Sequence, residues 1–296
     1  MEITDLTDVV KDCGFGVFTS AIANGGTVRC ITAKNGASTF TRKEIDKLTE
    51  YVKGIGVKGL AYIRCVEDAP NCSFGKFLGE GELDKILAAA GAEKGDVVFI
   101  IADKKNTALT SLGALRLKCA RQLNIIPEGK FNFLWITEFP FFEWNEETQH
   151  WDAMHHPFTM PMDECLQYLD TAPEKVFAKA YDLVLNGTEL SSGSIRITDY
   201  ELQQKMFESL GLTDEEIEAK FGFLVEAYKY GAAPHGGMGI GLDRLAMIMC
   251  GADSLRDVTA FPKVQNASEL MSNCPAAVDK DSLDILGIEV TKSEDE

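Results

Sequence analysis

The residues that could do chemistry lie in the second half of the chain. In "GMGIGLDRLAMIMC", Gly237–Cys250, the glycines at 237, 239 and 241 alternate with Met238, Ile240 and Leu242. Strand side chains point to opposite faces in turn, so an extended reading leaves one face bare. Glycine weakens a strand interior, and three in register suggest a surface that something approaches closely. The run ends in Leu242, Asp243 and Arg244 at the start of an apolar helix. A guanidinium beside the polarised N–H groups of a helix start suits a polyphosphate. A tightly packed strand with Arg244 in a salt bridge accounts for the same residues equally well.

A second constellation is "AMHHPFTMP", with His155 and His156, two of only four histidines. Single histidines are usually structural. Two of them together with Glu189 and Arg196 begin to describe a polar ligand pocket, although spacing alone does not name the ligand. Two other patterns fail on context. "GIGVKG" at 54–59 fits G-x-G-x-x-G but follows a helical stretch and precedes a strand, the reverse of a dinucleotide site. Arg42 and Glu44 sit where Thr41 and Glu44 form a helix-capping box, which is the preferred reading.

These residues need elements to hold them. "YDLVLNGTELSSGSIRI" places two extended runs around Asn186-Gly187, the pair favoured in a two-residue hairpin turn. Glu189 and Arg196 then share one return strand, seven residues apart. An odd separation puts them on opposite faces of a regular strand, so a common pocket requires an extra residue, expected between Leu190 and Ser194 and most naturally at "SSG". A helix is expected from Asp199 and another from Thr213, whose spacing to Glu216 is that of a capping box. "DRLAMIMCGA" is apolar on nearly all sides and is expected to be a buried helix.

The first part alternates differently. "TRKEIDKLTEYVKG", "GELDKILAAAG" and "ALTSLGALRLKCARQL" read as helices, and "LAYIRCV" and "DVVFIIA" as strands. The composition turns aromatic after "NIIPEGKFN", which sets a domain boundary near residue 125. With 296 residues, 45% of them hydrophobic, the chain can hold two domains of α+β type. No apolar run approaches the roughly 20 residues of a membrane helix. The acidic N-terminus is unlike a secretory signal. The eight cysteines contain no C-x-x-C pair, and buried reduced thiols in a cytoplasmic protein are the expectation. "TKSEDE" reads as a frayed acidic tail.

The net charge of −17 argues against loose nucleic-acid binding, which depends on Lys and Arg neutralising phosphates. The average is uneven: residues 1–130 hold 18 Lys and Arg against 16 Asp and Glu, and the remainder 11 against 30. Any polyanion contact is therefore expected to be local, in the first part, where Lys104, Lys105, Arg116, Lys118 and Arg121 gather. A solvated helix face accounts for that cluster equally well.

Taken together, the G-φ-G-φ-G-φ-D-R run resembles the third signature motif of the class II aminoacyl-tRNA synthetases. "HHPFTMP", "LVLNGTEL", "GSIRI", "GIGLDRL" and "SLRDVTAFPKVQNASELM" resemble, in order and spacing, the bacterial-type aspartyl-tRNA synthetases. Residues 1–125 are similar to the GAD insertion domain of that subfamily, through "TRKEIDKL", "VKGLAYI", "KFL" and "GALRLK". Residues 126–296 resemble the C-terminal part of the catalytic domain, an antiparallel sheet flanked by helices. Segments resembling motifs 1 and 2 do not occur in the sequence, and "ELSSGS" stands where the family reads E-φ-G-G-G-S, with Ser191 and Ser192 in place of glycines.

The resemblance implies an aspartate–tRNA ligase of the cytoplasm, in which aspartate is activated by ATP and passed to tRNA(Asp), with Mg²⁺ on the nucleotide. It implies that Arg196, His155 and His156 bind aspartate. Glu189 would serve ATP and its Mg²⁺, Gly241, Leu242, Asp243 and Arg244 would hold ATP, and Arg244 and Glu189 would carry the catalytic charge. Half of the ATP clamp is missing from these residues, so they are expected to be inactive alone and to need an N-terminal half or to self-associate. A non-catalytic paralogue or split-gene partner acting by binding, and a small-molecule aspartate-activating ligase, remain as alternatives.

Overall fold

The structure, a computed structural model, describes residues 1–67, 69–145 and 147–291. Of the expected acidic tail, residues 292–296 lie outside that range. The chain packs as two compact units, Met1–Lys130 and Phe131–Glu296. The boundary expected near 125 falls in the segment after the last helix of the first unit.

That unit is built on strands β1 (Ile3–Asp5), β2 (Thr27–Ala33), β3 (Ala61–Arg64), β4 (Asn71–Cys72) and β5 (Val97–Asp103), in the order β1-β2-β5-β3-β4, all pairs antiparallel. Its helices are α1 (Thr7–Val10), α2 (Gly16–Ala23), α3 (Arg42–Lys53), α4 (Glu82–Ala89) and α5 (Lys105–Gln122). The central strand β5 is buried on both faces. Val97, Phe99 and Ile101 pack with Ile45, Leu48 and Leu112 of α3 and α5. Val98 and Ile100 join Phe18 and Ile86 on the other side. Alternation along one strand thus supplies two cores. Thr41 caps α3, accepting the Glu44 N–H at 3.5 Å, and "GIGVKG" is a turn-rich connection.

In the second unit β6 (Phe133–Ile136), β11 (Ala180–Leu185), β12 (Thr188–Ile195) and β13 (Gly236–Ile240) form an antiparallel sheet in the order β13-β12-β11-β6. Small ladders join β7 (Phe139–Pro140) to β10 (Phe177–Ala178), and β8 (Phe142–Asn145) to β9 (His150–Ala153). The β11–β12 turn has Asn186 and Gly187 at φ 50° and 80°, the positive pair that a type I′ hairpin requires. Helices α6 (Tyr200–Ser209) and α7 (Asp214–Lys229) open on Asp199 and on the Thr213–Glu216 capping box. They pack through stacked Phe207 and Phe221, ring centres 4.7 Å apart. Helices α8 (Leu242–Cys250) and α9 (Lys280–Leu286) follow.

The class is α+β, as expected. Helix α8 is a correction, because none of its residues is buried and Leu242 and Met249 are 74% and 73% exposed. Apolarity all round predicts burial only where other elements supply a cover, and the described residues leave most of α8 open. Among those residues no helix is long and apolar enough to cross a membrane. All eight cysteines are free. Cys13, Cys30, Cys65, Cys119 and Cys165 are buried as expected, whereas Cys250 and Cys274 are exposed. Burial pushes the Cys30 and Cys119 thiols up to about 12.

Candidate functional site

Register decides which side chains of the sheet meet. Ser192 and Ser194 stand opposite Gly239 and Gly237 of β13, and Ser192 also opposite Asp182 of β11. Opposed residues share a face, so the glycines and these serines line the same side. A Cβ added at Gly237 or Gly239 would meet nothing within 4 Å, so the bare face is open. Arg196, two residues beyond Ser194, continues this side and bridges to Thr159.

Towards the hairpin the ladder shifts: Leu183 pairs with Ser191, but Val184 pairs with Glu189. Leu190 is the extra residue. The irregularity therefore sits at the start of the expected interval, one position before "SSG". Its effect is to bring Glu189 opposite Val184, hence onto the face of Asp182, Ser192 and Ser194, despite the odd count to Arg196. Leu190 and Ser191 are turned inward, and the Ser191 hydroxyl is buried without a partner.

At the Arg196 end the face closes into a cavity of about 200 Å³, lined by His155, His156, Thr159, Ser192, Ser194 and Arg196 among others. His155 is exposed and meets Phe139 edge-on, ring centres 5.0 Å apart. Arg196 Nη1 lies 3.1 Å from His156 Nδ1, which also accepts the Phe158 N–H at 3.3 Å. Two donors on Nδ1 require that nitrogen to be unprotonated and the imidazole neutral. Burial, then the Arg196 charge and His155, hold the His156 pKa below the usual histidine range. The ring thus orients one nitrogen of the guanidinium and leaves the rest of the planar fork for an anion such as a carboxylate.

The other expected residues form a separate cluster at the hairpin end. Arg244 Nη1 donates to the Glu189 carbonyl at 2.6 Å and lies 3.2 Å from its carboxylate. The salt-bridge alternative for Arg244 is therefore realised in this state, and the bridge joins the two residues expected to serve a nucleotide. The strand stops at Ile240. Gly241, expected within it, is the N-cap of α8 and donates to the Leu190 carbonyl at 2.9 Å. Leu242 and Asp243 form the exposed first turn. The register thus puts Glu189, Arg196 and the strand glycines on one sheet face, while the cavity is lined by only His155, His156 and Arg196 of the expected site residues.

Among the described residues no three His, Cys, Asp or Glu converge as a metal site. Glu189 and Asp182 share the face, and two carboxylates are as many as Mg²⁺ ordinarily takes when phosphates and water complete its shell. The donor set is compatible with that ion. Sequence reading missed Asp182, Thr159 and Ser194. Asp182 precedes Glu189 by seven residues across the hairpin, and the same register argument could have found it. Thr159, whose Oγ1 is 3.4 Å from His156 Nδ1 and 3.5 Å from Ser194 Oγ, depends on a tertiary bridge with no local signal.

Comparison with known proteins gives a consistent result. The family description "tRNA synthetases class II (D, K and N)" matches residues 17–265. The aspartate–tRNA ligase of Ruminiclostridium cellulolyticum is 55% identical over 99% of this chain and 49% of its own length. An aspartate–tRNA(Asp/Asn) ligase of Bacillus cereus is 48% identical over the whole chain and 50% of its own length. This chain spans about half the length of these relatives. Among solved structures, the aspartyl-tRNA synthetase of Entamoeba histolytica matches 52% of this chain and 26% of its own, at 26% identity and a TM-score of 0.36.

Proposed function

The chain belongs to the class II tRNA synthetases of the D, K and N group, and from that premise we propose that it forms part of an aspartate–tRNA ligase. The carrying observation is the Arg196–His156 pair at 3.1 Å in a small cavity beside a glycine-faced sheet. A planar cation oriented by a neutral ring fits a ligand with a side-chain carboxylate. The open glycine face gives room for an adenylate. In this reading Arg196, His156 and His155 hold aspartate, and Gly241, Leu242, Asp243 and Arg244 hold ATP. Glu189, joined by Asp182, faces the nucleotide and would hold Mg²⁺, whose chemistry is to neutralise phosphate charge. The aspartate carboxylate attacks the α-phosphate, pyrophosphate leaves, and the adenylate passes aspartate to tRNA. The protein's part is positioning and charge neutralisation.

The Arg244–Glu189 bridge must open for both residues to serve the nucleotide. Residues 1–125 correspond in this reading to the GAD insertion domain and residues 126–296 to the C-terminal part of the catalytic domain, in a cytoplasmic enzyme. The 296 residues supply one part of the ATP clamp and need the rest from an N-terminal portion. Loss of one preorganised donor costs about 100-fold or more, so the polypeptide alone should give aspartate-dependent ATP–pyrophosphate exchange at least that far below a full-length relative. Co-expression with the N-terminal half of such a relative should restore exchange, and Arg196→Ala should abolish the restored activity. Exchange driven by another amino acid, or unaffected by Arg196→Ala, would reject the proposal.

A further inference from the structure

Helix α5 in the first unit has no part in the site above. Residues 104–127 carry five cations, Lys104, Lys105, Arg116, Lys118 and Arg121, and no carboxylate. In a chain of net charge −17 such a stretch stands out. Elsewhere in this unit Arg29, Lys34, Lys47 and Lys53 each pair with an acid within 3.0 Å, whereas Arg42, Lys43, Lys58, Lys76 and Lys85, which are spread over several elements, make no ion pair among the described residues. Among the described residues none of the five α5 cations makes an ion pair. Arg116 reaches only the Met1 carbonyl, at 3.3 Å.

The last turns of α5 border a shallow cleft of about 420 Å³ lined by Tyr51, Ala114, Leu117, Lys118, Arg121 and Gln122. Lys118 and Arg121, three residues apart, share one helix face. The Lys118 ammonium is held 3.9 Å from the centre of the Tyr51 ring, so its position is set before any ligand arrives. Leu117 is 49% exposed beside them. Cations without counter-ions, next to an aromatic ring and on a rigid element, are the footprint of a polyanion backbone.

We propose that the C-terminal face of α5, centred on Lys118 and Arg121 with Arg116 at its flank, binds the phosphate backbone of RNA. This rests on the ligase reading only in naming tRNA as the RNA concerned. Backbone contacts of this kind position an RNA and carry no sequence information. They therefore predict binding that depends on salt and hardly on sequence, made by a unit separate from the aspartate site.

The test is fluorescence anisotropy of a labelled tRNA(Asp) transcript and of an unrelated structured RNA with the whole chain, without aspartate or ATP, between 50 and 200 mM salt. Lys118→Gln/Arg121→Gln should weaken both RNAs on the order of tenfold or more at 100 mM salt. It should also lower the slope of log affinity against log salt by about 1.4 to 1.8. Lys43→Gln/Lys58→Gln, which removes two cations elsewhere in the unit, should change neither, and circular dichroism should show both variants folded. No RNA binding at 50 mM salt, or an unchanged slope in the α5 variant, overturns the inference. Displacement of RNA by poly-glutamate at equal charge overturns it in favour of an acidic protein partner. Because aspartate is absent from this assay, RNA binding through α5 together with no aspartate-dependent exchange after complementation by the N-terminal half of a relative would defeat the ligase reading and leave this inference standing.

Discussion

At the scale of single residues, the site depends on a proton that is absent. His156 Nδ1 can accept from Arg196 only while the ring is neutral, and burial and the guanidinium both disfavour the charged ring. Its folded pKa lies below its unfolded value. As pH falls below about 6.5 the unfolded chain takes up a proton that the folded chain refuses, so this contribution to stability is lost on acidification towards the depressed folded pKa. The wild-type melting temperature should therefore fall between pH 6.5 and 5 by more than that of His156→Gln, which removes the titration. An NMR titration of His156 should give a midpoint below 6.5. A midpoint at or above 6.5, or identical pH profiles for the two proteins, would show that the ring does not act as the acceptor. The histidine pair was legible in the sequence as a pocket. The tautomer was not, because it is set by Arg196, forty positions away and brought near by the fold.

At the scale of elements, the glycines of the β12–β13 ladder fall into two kinds. A Cβ at Gly193 would collide with the Gly237 carbonyl and come within 2.6 Å of Tyr181 Cε2 and 3.0 Å of Met238 Cα. Gly193 therefore permits strand pairing. Gly237 and Gly239 face open space, so their bareness serves something other than packing. Gly193→Ala should destabilise the second unit by about 1–3 kcal/mol, through displaced backbone, seen as a lower denaturant midpoint. Gly239→Ala should leave stability within about 0.5 kcal/mol but lower affinity for an aspartyl-adenylate analogue in the complemented enzyme. Equal stability losses would mean that both glycines are structural. Periodicity made the bare face legible, and Asn186-Gly187 and the capping residues made the hairpin and two helices legible, because each is a local rule. Leu190 as the bulge was not legible, since small residues at "SSG" offered an equally good local answer and only the pairing with β11 chose. Helix α8 misled for the complementary reason: its composition records a need for cover, and cover is a property of other elements.

At the scale of the whole molecule, two opposed forces act on the second unit. Both outer strands of its main sheet, β6 and β13, have an unpaired edge among the described residues. They carry exposed apolar side chains: Phe133, Leu134, Trp135 and Ile136 on β6, Met238 and Ile240 on β13. Such edges and patches favour association, whether with a further polypeptide segment or with a second copy of the chain. Against this stands charge, because residues 131–296 hold 30 acids and only 11 Lys and Arg. At low salt that repulsion reaches tens of ångströms, whereas at 0.5 M salt the screening length drops below about 8 Å and the apolar contact, which needs no charge, is left unopposed. The polypeptide alone should therefore self-associate more strongly as salt rises from 0.02 to 0.5 M, by sedimentation velocity. Its binding of an apolar dye should fall as the oligomer forms. Substituting Trp135→Lys on the β6 edge should shift it back towards monomer. RNA binding through α5 should weaken over the same salt range, so one titration separates the two surfaces by the sign of their response. A monodisperse monomer at every salt concentration, with no dye-accessible apolar surface, would show that neither sheet edge is available for association.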